Sequence, residues 1–129
     1  MEQHFWFGIF TFANTLLVAL LAMNVSRLRI REKVANGDGG NVSLKKAIRA
    51  HGNGVEHLVV VGLQVLALEL GHASSLVLSV LVVVFTASRL LHAFSLLSSK
   101  FRLRQISALG TYASELGGAI AVFFTFVSA

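Results

Sequence analysis

The sequence contains no cysteine and no proline, and charged residues make up only 13% of its 129 residues. Without cysteine the chain can form no disulfide, no thiolate metal site and no cysteine nucleophile. Without proline, no helix interior has to kink around a missing backbone donor. Hydrophobic residues, by contrast, make up 55% of the chain, and its mean hydropathy is +0.75. This composition is typical of an integral membrane protein rather than of a soluble domain.

Four long apolar segments carry the hydrophobicity, over residues 5–26, 44–70, 73–97 and 106–127. Each is long enough to cross a bilayer once, because roughly 20 helical residues span about 30 Å. The first segment is not preceded by basic residues, so we interpret it as a membrane helix and not as a cleaved signal peptide. A polar loop rich in glycine and asparagine, residues 27–43, follows it. The sequence therefore predicts one all-α domain, an integral membrane bundle of four helices.

Lysine and arginine are unevenly distributed among the loops. Seven of them lie within residues 27–49 and three within residues 100–104, whereas the short second loop and both termini have none. Cytoplasmic loops carry the excess of basic residues, so we expect both basic loops on the cytoplasmic side and both termini on the other. Although the formal net charge is +5, the basic residues follow no nucleic-acid-binding motif, and we expect no nucleic acid partner.

The fourth segment carries small residues at four-residue spacing, Gly110, Ser114 and Gly118. Membrane helices associate closely where side chains are small, so this helix should pack tightly against a neighbour. The neighbour could be another helix of the same chain or another subunit.

The start of the second helix is unusually polar for a segment that leads into a membrane span. Arg49, Asn53 and Glu56 stand at positions i, i+4 and i+7, so they share one helical face and are spread over about 10 Å along it. A cation, an amide and a carboxylate on one stripe suit a zwitterionic ligand with separated charges. Burying these groups unpaired would cost several kcal/mol each. We therefore predict a ligand site here.

Two further ionisable residues lie inside apolar segments, Arg89 on the third and Glu115 on the fourth. Each is about ten residues from the basic residues at the cytoplasmic edge, as is Glu56, so the three should lie at similar depth. They could form a structural ion-pair network or line the ligand site, and His92 could do either.

Other classes of protein and site fit the sequence less well. His51 and His57 do not have the i, i+4 spacing of a helical zinc motif, so we expect no metal site. A small proton-coupled exporter would have four helices and an intramembrane acid, but it would place that acid in the first helix. Here that helix offers only Asn14 and Asn24 among amide or ionisable side chains.

Residues 49–57 have the sequence Arg-Ala-His-Gly-Asn-Gly-Val-Glu-His. This stretch resembles the signature Arg-Ala-Gln-x-Asn-x-x-Glu-Tyr of the MAPEG family, the membrane-associated proteins of eicosanoid and glutathione metabolism. The chain also resembles bacterial members of that family in four further features. These are its length, its four spans, its basic first loop and the sequence Arg-Leu-Leu-His-Ala-Phe at residues 89–94. The resemblance implies a homotrimer in the bacterial inner membrane, which binds glutathione between adjacent subunits near the cytoplasmic face. A lipophilic second substrate would enter from the membrane lipids.

Residue roles follow from the same resemblance. Arg49 would hold a glutathione carboxylate, Asn53 would hydrogen-bond the peptide, and Glu56 would pair with the glutamyl ammonium. The remaining predicted glutathione-binding residues are His51, His57, Arg89 and His92. An arginine near the start of the fourth helix stabilises the thiolate in enzymes of the family, because a nearby cation lowers the thiol pKa. The two candidates for it are Arg102 and Arg104.

The sequence also departs from the family pattern. His51 replaces a glutamine, His57 replaces a tyrosine, and the third helix has Phe94 but no tyrosine, since Tyr112 on the fourth helix is the only one. Two functions therefore stay open. The first is a glutathione-dependent membrane transferase or peroxidase that acts on a lipophilic electrophile, and the alternative is a non-catalytic lipid-binding or scaffold protein of the same fold.

Overall fold

The structure, a computed structural model, describes residues 4–127. Within them the chain forms four helices, α1 (Phe5–Glu32), α2 (Val42–Leu70), α3 (Ser75–Leu97) and α4 (Phe101–Val127). All four are long and apolar enough to cross a membrane. The predicted all-α architecture of four membrane helices is therefore confirmed.

The bundle has two distinct ends. We call the end that holds the α1–α2 and α3–α4 connections the basic end, since ten of the eleven lysines and arginines lie in or beside these connections. The other end, where α1 begins, α2 turns into α3 and α4 finishes, is the terminal end. These names describe the molecule only, and the assignment of the basic end to the cytoplasm stays a prediction.

Two helices extend further at the basic end than the apolar runs predict. Helix α1 continues to Glu32, and α4 begins at Phe101 instead of near residue 106. An apolar run marks only the part of a helix that lies in hydrocarbon, whereas the backbone ladder continues past it. Arg29 and Arg31 occupy the last turn of α1, where cations interact favourably with the helix dipole. The predicted loop over residues 27–43 is accordingly shorter.

The remaining α1–α2 connection is held by side-chain bonds to backbone. The Arg29 guanidinium donates to the carbonyl oxygens of Val34, Ala35 and Gly37, the last at 2.7 Å. Asn41 then caps α2, because its side-chain oxygen accepts from the Leu44 N–H at 2.9 Å. The site at the start of α2 is thus preceded by a connection with defined geometry.

The apolar core lies toward the terminal end. Its buried members come from α1, α2 and α3: Phe10, Val61, Val65, Leu68, Leu78, Leu81, Val82 and Phe85. Nearer the basic end, only small clusters such as Leu21 with Ala50 and Ala93 fill the space between helices. The smaller side chains there leave room for polar groups between α2, α3 and α4.

The small residues of α4 pack against other helices of the same chain. Ser114 and Gly118 are buried, and a Cβ at Gly118 would collide with the Gln64 side chain. A Cβ at Gly110 would likewise collide with Ser88. Of the two neighbours that the spacing left open, the structure shows the intrachain one. Gly117, one position along, faces open space.

Candidate functional site

A polar cavity of about 470 Å³ lies at the basic end, with residues of three helices around it. The lining residues are Arg49 and Asn53 of α2, His92 and Leu96 of α3, and Phe101, Arg104, Gln105, Ala108 and Tyr112 of α4. Two guanidinium groups from different helices meet one cavity together with an amide and an imidazole. Arginine forks match carboxylates in bidentate geometry, so this set favours a ligand that carries carboxylates.

Arg89 lies directly behind the cavity and holds Asn53 in place. Its side chain is 3% exposed. It donates through Nη2 to Asn53 Oδ1 at 2.6 Å and through Nη1 to Thr111 Oγ1 at 3.1 Å. With its oxygen taken by Arg89, the Asn53 side chain presents its amide nitrogen as the free group. Arg89 therefore fixes both the position and the donor character of Asn53 toward a ligand.

His92 is held by α4 in a single orientation. Its Nδ1 lies 3.0 Å from Ser107 Oγ, and that hydroxyl donates to the Arg104 carbonyl at 2.9 Å. With the Ser107 hydroxyl donating to the Arg104 carbonyl, its oxygen accepts from His92 Nδ1–H. In the neutral ring, Nε2 is then the free acceptor. The imidazole can accept a hydrogen bond from a ligand in the cavity.

A second polar pair lies deeper, beside the cavity wall. His57 Nδ1 and Glu115 Oε1 are 2.6 Å apart, with side-chain exposures of 18% and 21%. The Tyr112 ring, which lines the cavity, meets the His57 ring edge to face with centroids 5.9 Å apart. The two intramembrane charges thus have separate partners among residues 4–127: Glu115 bonds His57, and Arg89 bonds Asn53. A direct ion pair between Arg89 and Glu115 does not form in this part of the chain.

The structure distinguishes the two arginines near the start of α4. Arg104 lines the cavity, and its guanidinium lies 5.4 Å from the centre of the Phe101 ring. Arg102 is exposed and is not among the lining residues. Of the two candidates for thiolate stabilisation, Arg104 alone is placed beside a ligand cavity.

Not every predicted binding residue reaches the cavity. Glu56 is exposed on the same side of α2 as Arg49, but it is not a lining residue. His51 is partly buried and lies about 200° around α2 from Arg49, because successive helical residues are about 100° apart. His57 is engaged with Glu115 instead. The cavity of a single chain therefore unites Arg49, Asn53, His92 and Arg104, with Arg89 behind them.

The sequence-based site omitted Tyr112, Gln105 and Ser107. The sequence contains a signal for Tyr112 and Gln105. Arg104, Ala108 and Tyr112 stand at positions i, i+4 and i+8, which places them on one face of a helix, and Gln105 lies beside that face. The apolar run predicts a fourth helix that begins only at residue 106, which assigns Arg104 and Gln105 to a loop and hides this shared face.

The fold and the site together define a class: a small integral membrane protein of four helices with a polar cavity at the basic end of its bundle. The chain belongs to the MAPEG family, whose model matches residues 7–124. It is 32% identical over 109 residues to "Inner membrane protein YecN" of Escherichia coli K12, a match that covers 84% of this chain and 83% of that protein.

The protein of the same name from Escherichia coli O6:H1 matches to the same extent. No solved structure gives a significant match. The family membership confirms the resemblance that residues 49–57 indicated. The relatives' name and the four apolar helices support an inner-membrane location.

Proposed function

We propose that this protein binds glutathione in the cavity at the basic end and directs its thiolate at a lipophilic electrophile, as a membrane transferase or peroxidase. The observation that carries this proposal is the convergence of Arg49, Asn53, His92 and Arg104 on one cavity. The family includes glutathione-dependent enzymes, and the cavity volume of about 470 Å³ falls within the usual range for small-molecule sites.

The lining residues, together with Glu56 outside the cavity, match the separated charges of glutathione. Arg49 provides a bidentate partner for one carboxylate, and the free Asn53 amide nitrogen can donate to a peptide carbonyl. Glu56 is exposed about 10 Å further along α2 and is available for the glutamyl ammonium. A cation and an anion at this separation along one helix suit an extended zwitterionic peptide.

The position of Arg104 beside the cavity supports a role in favouring the ionised thiol. A guanidinium near the sulfur lowers the thiol pKa and raises the fraction of thiolate near neutral pH. In a transferase, that thiolate forms a carbon–sulfur bond with the electrophile while the leaving group departs with the electron pair. His92, with Nε2 free, can accept a hydrogen bond from the thiol.

An apolar groove of about 490 Å³ supports a lipophilic partner. It lies between α3 and α4, with Val80, Val84, Gly117 and Ile120 among its lining residues. Such a groove could take a lipophilic substrate from the bilayer. It equally favours the second candidate function, in which the protein binds a lipid and catalyses nothing.

Calorimetry with purified protein in detergent tests the ligand site. We expect saturable glutathione binding that Arg49→Ala or Glu56→Gln weakens by about tenfold or more, because each removes one charge-assisted bond. Arg102→Ala is the matched control, since this arginine is exposed and outside the cavity, and it should bind glutathione as the parent protein does. An affinity unchanged by both site substitutions would refute the assignment.

Turnover separates the two candidate functions. A catalyst should conjugate glutathione to a chlorodinitrobenzene, and Arg104→Ala should lower kcat while Arg102→Ala leaves it unchanged. Binding of glutathione or lipid with no conjugation or peroxide reduction would favour the non-catalytic function.

A further inference from the structure

A second cavity lies at the terminal end, far from the glutathione site proposed above. Its volume is about 860 Å³, and its polar lining includes His4, Trp6, Glu69, His72 and Ser75. Glu69 follows Asn53 by about 24 Å along α2, at 1.5 Å per residue. The two cavities are therefore separate sites.

Glu69 has one carboxylate oxygen with a structural role and one without. Its side chain is only 6% exposed. Oε1 accepts the backbone N–H of Phe7 at 2.9 Å, which caps the first turn of α1, where the N-cap His4 makes no side-chain cap bond. Oε2 is buried and has no hydrogen-bond partner within residues 4–127. Helix capping thus accounts for one oxygen only.

The nearest basic group does not complete the site. His4 Nδ1 lies 3.4 Å from Oε2 without forming a hydrogen bond, its ring is half exposed, and it carries charge only when protonated. A buried carboxylate oxygen left unpaired is costly, so a donor from a ligand would stabilise this arrangement. Since Glu69 lines the cavity, such a donor can reach it from there.

The aromatic residues beside Glu69 favour a cation as that donor. The Trp6 indole N–H donates to Ser75 Oγ at 2.9 Å, which fixes the ring, and the Phe5 ring packs against it edge to face with centroids 5.2 Å apart. A carboxylate next to an indole is a combination that binds ammonium groups, by a charge-assisted hydrogen bond and by cation–π attraction.

The position of the cavity in the bundle points to a lipid as the carrier of the cation. Leu70 and Leu78 also line it, and Leu70 is exposed on the surface. Tryptophan is typical of the membrane–water interface, where lipid headgroups lie. Oε2 needs a hydrogen-bond donor, which a primary ammonium has and a trimethylated ammonium lacks.

We propose that the cavity at the terminal end binds the primary ammonium group of an aminophospholipid headgroup, with Glu69 Oε2 as its acceptor and Trp6 against it. The same ammonium chemistry could reach the site on a free amine such as ethanolamine, so the test has to separate the two sources. The proposal does not depend on glutathione binding.

Trp6 is the only tryptophan in the chain, so its fluorescence reports on this cavity alone. The protein is placed in phosphatidylcholine nanodiscs with increasing fractions of phosphatidylethanolamine, and Trp6 emission is recorded. We expect a saturable change whose midpoint rises about tenfold or more in Glu69→Gln, because a charged acceptor is lost. Glutamine keeps an oxygen for the Phe7 N–H, so the cap of α1 is retained.

A second variant and a control test the same cavity without changing Glu69, so the result does not depend on how well Glu69→Gln folds. Leu70→Lys places a competing ammonium in the same cavity at an exposed position, and it should also raise the midpoint. Glu32→Gln changes a carboxylate at the basic end, where Glu32 pairs with Arg31, and should leave the midpoint unchanged.

Three results would overturn the proposal. One is the lack of a saturable change in Trp6 emission as phosphatidylethanolamine replaces phosphatidylcholine, and another is an unchanged midpoint in both Glu69→Gln and Leu70→Lys. The third is a response to free ethanolamine in pure phosphatidylcholine discs that matches the lipid response, since the lipid would then not be the ligand.

Discussion

The hydrogen bond between Arg89 and Asn53 connects a buried charge of α3 to the proposed glutathione site. At 2.6 Å it is a short charge-assisted bond, and the other arm of the guanidinium is anchored on Thr111 at 3.1 Å. Arg89→Lys keeps the positive charge but loses the planar fork, so one ammonium cannot hold both partners in the same geometry. We expect Asn53 to lose its fixed orientation toward the ligand.

The size of the effect follows from the bond that Asn53 would make to glutathione. A neutral hydrogen bond contributes about 0.5–1.5 kcal/mol, and about 1.4 kcal/mol corresponds to a tenfold change in affinity. Arg89→Lys should therefore weaken glutathione binding by about 2- to 10-fold. Arg102→Lys makes the same chemical change at an exposed arginine outside the cavity and should leave the affinity unchanged.

A double-mutant cycle measured by calorimetry tests whether Arg89 acts through Asn53. The cycle compares the parent protein, Arg89→Lys, Asn53→Ala and the double variant. If Arg89 works by positioning Asn53, Arg89→Lys should change the affinity little once Asn53 is alanine, so the two effects will not add. Additive losses would refute the reasoning and would indicate that Arg89 contacts the ligand itself.

Two further predictions concern stability in detergent, measured by thermal unfolding. Gly118→Ala should be less stable than Gly117→Ala by about 1–3 kcal/mol, because the first methyl collides with Gln64 and the second enters open space; the gain in helix propensity is common to both, and equal stabilities would contradict the packing. His57→Leu should lower stability by about 1–3 kcal/mol, since it leaves the largely buried Glu115 unpaired. Adding Glu115→Leu should restore most of that lost stability. A further drop in stability would show that Glu115 has another essential partner besides His57.

Much of the fold could be predicted from the sequence because lipid imposes a simple rule. Backbone groups in hydrocarbon must bond within the chain, so every long apolar run becomes a helix. The helix ends at the basic end could not be placed this way, since Arg29 and Arg102 are helical without being apolar. Hydropathy therefore locates the part of each helix that lies in the bilayer, but it does not locate the residue at which the helical hydrogen bonds end.

The sequence predicts which site residues share a face of one helix. It does not predict which side chains from different helices meet. The shared side of Arg49 and Glu56 follows from their spacing on α2. Which partner each intramembrane charge selects depends on the rotation of α3 and α4 about their axes, which spacing alone does not determine. The bond between Arg89 and Asn53, and that between His57 and Glu115, therefore emerged only from the packed structure.

His51 gives the sharpest test of the proposed homotrimer. It lies about 200° around α2 from Arg49 and does not line the cavity of its own chain. If His51 contacts glutathione, as its position in the family signature implies, it must do so from another copy of the chain. A site between subunits would then combine His51 of one copy with Arg49 and Arg104 of the next.

Subunit mixing decides this question. His51→Ala and Arg104→Ala should each abolish or strongly weaken glutathione binding when expressed alone. When the two variants are coexpressed in equal amounts and mix at random, about a quarter of the sites should regain both intact residues, because each site draws them from two different copies in a cyclic assembly. Binding capacity by calorimetry, normalised to protein, measures that fraction. A site built within one chain would give no recovery in the mixture, and full binding by His51→Ala alone would remove His51 from the site.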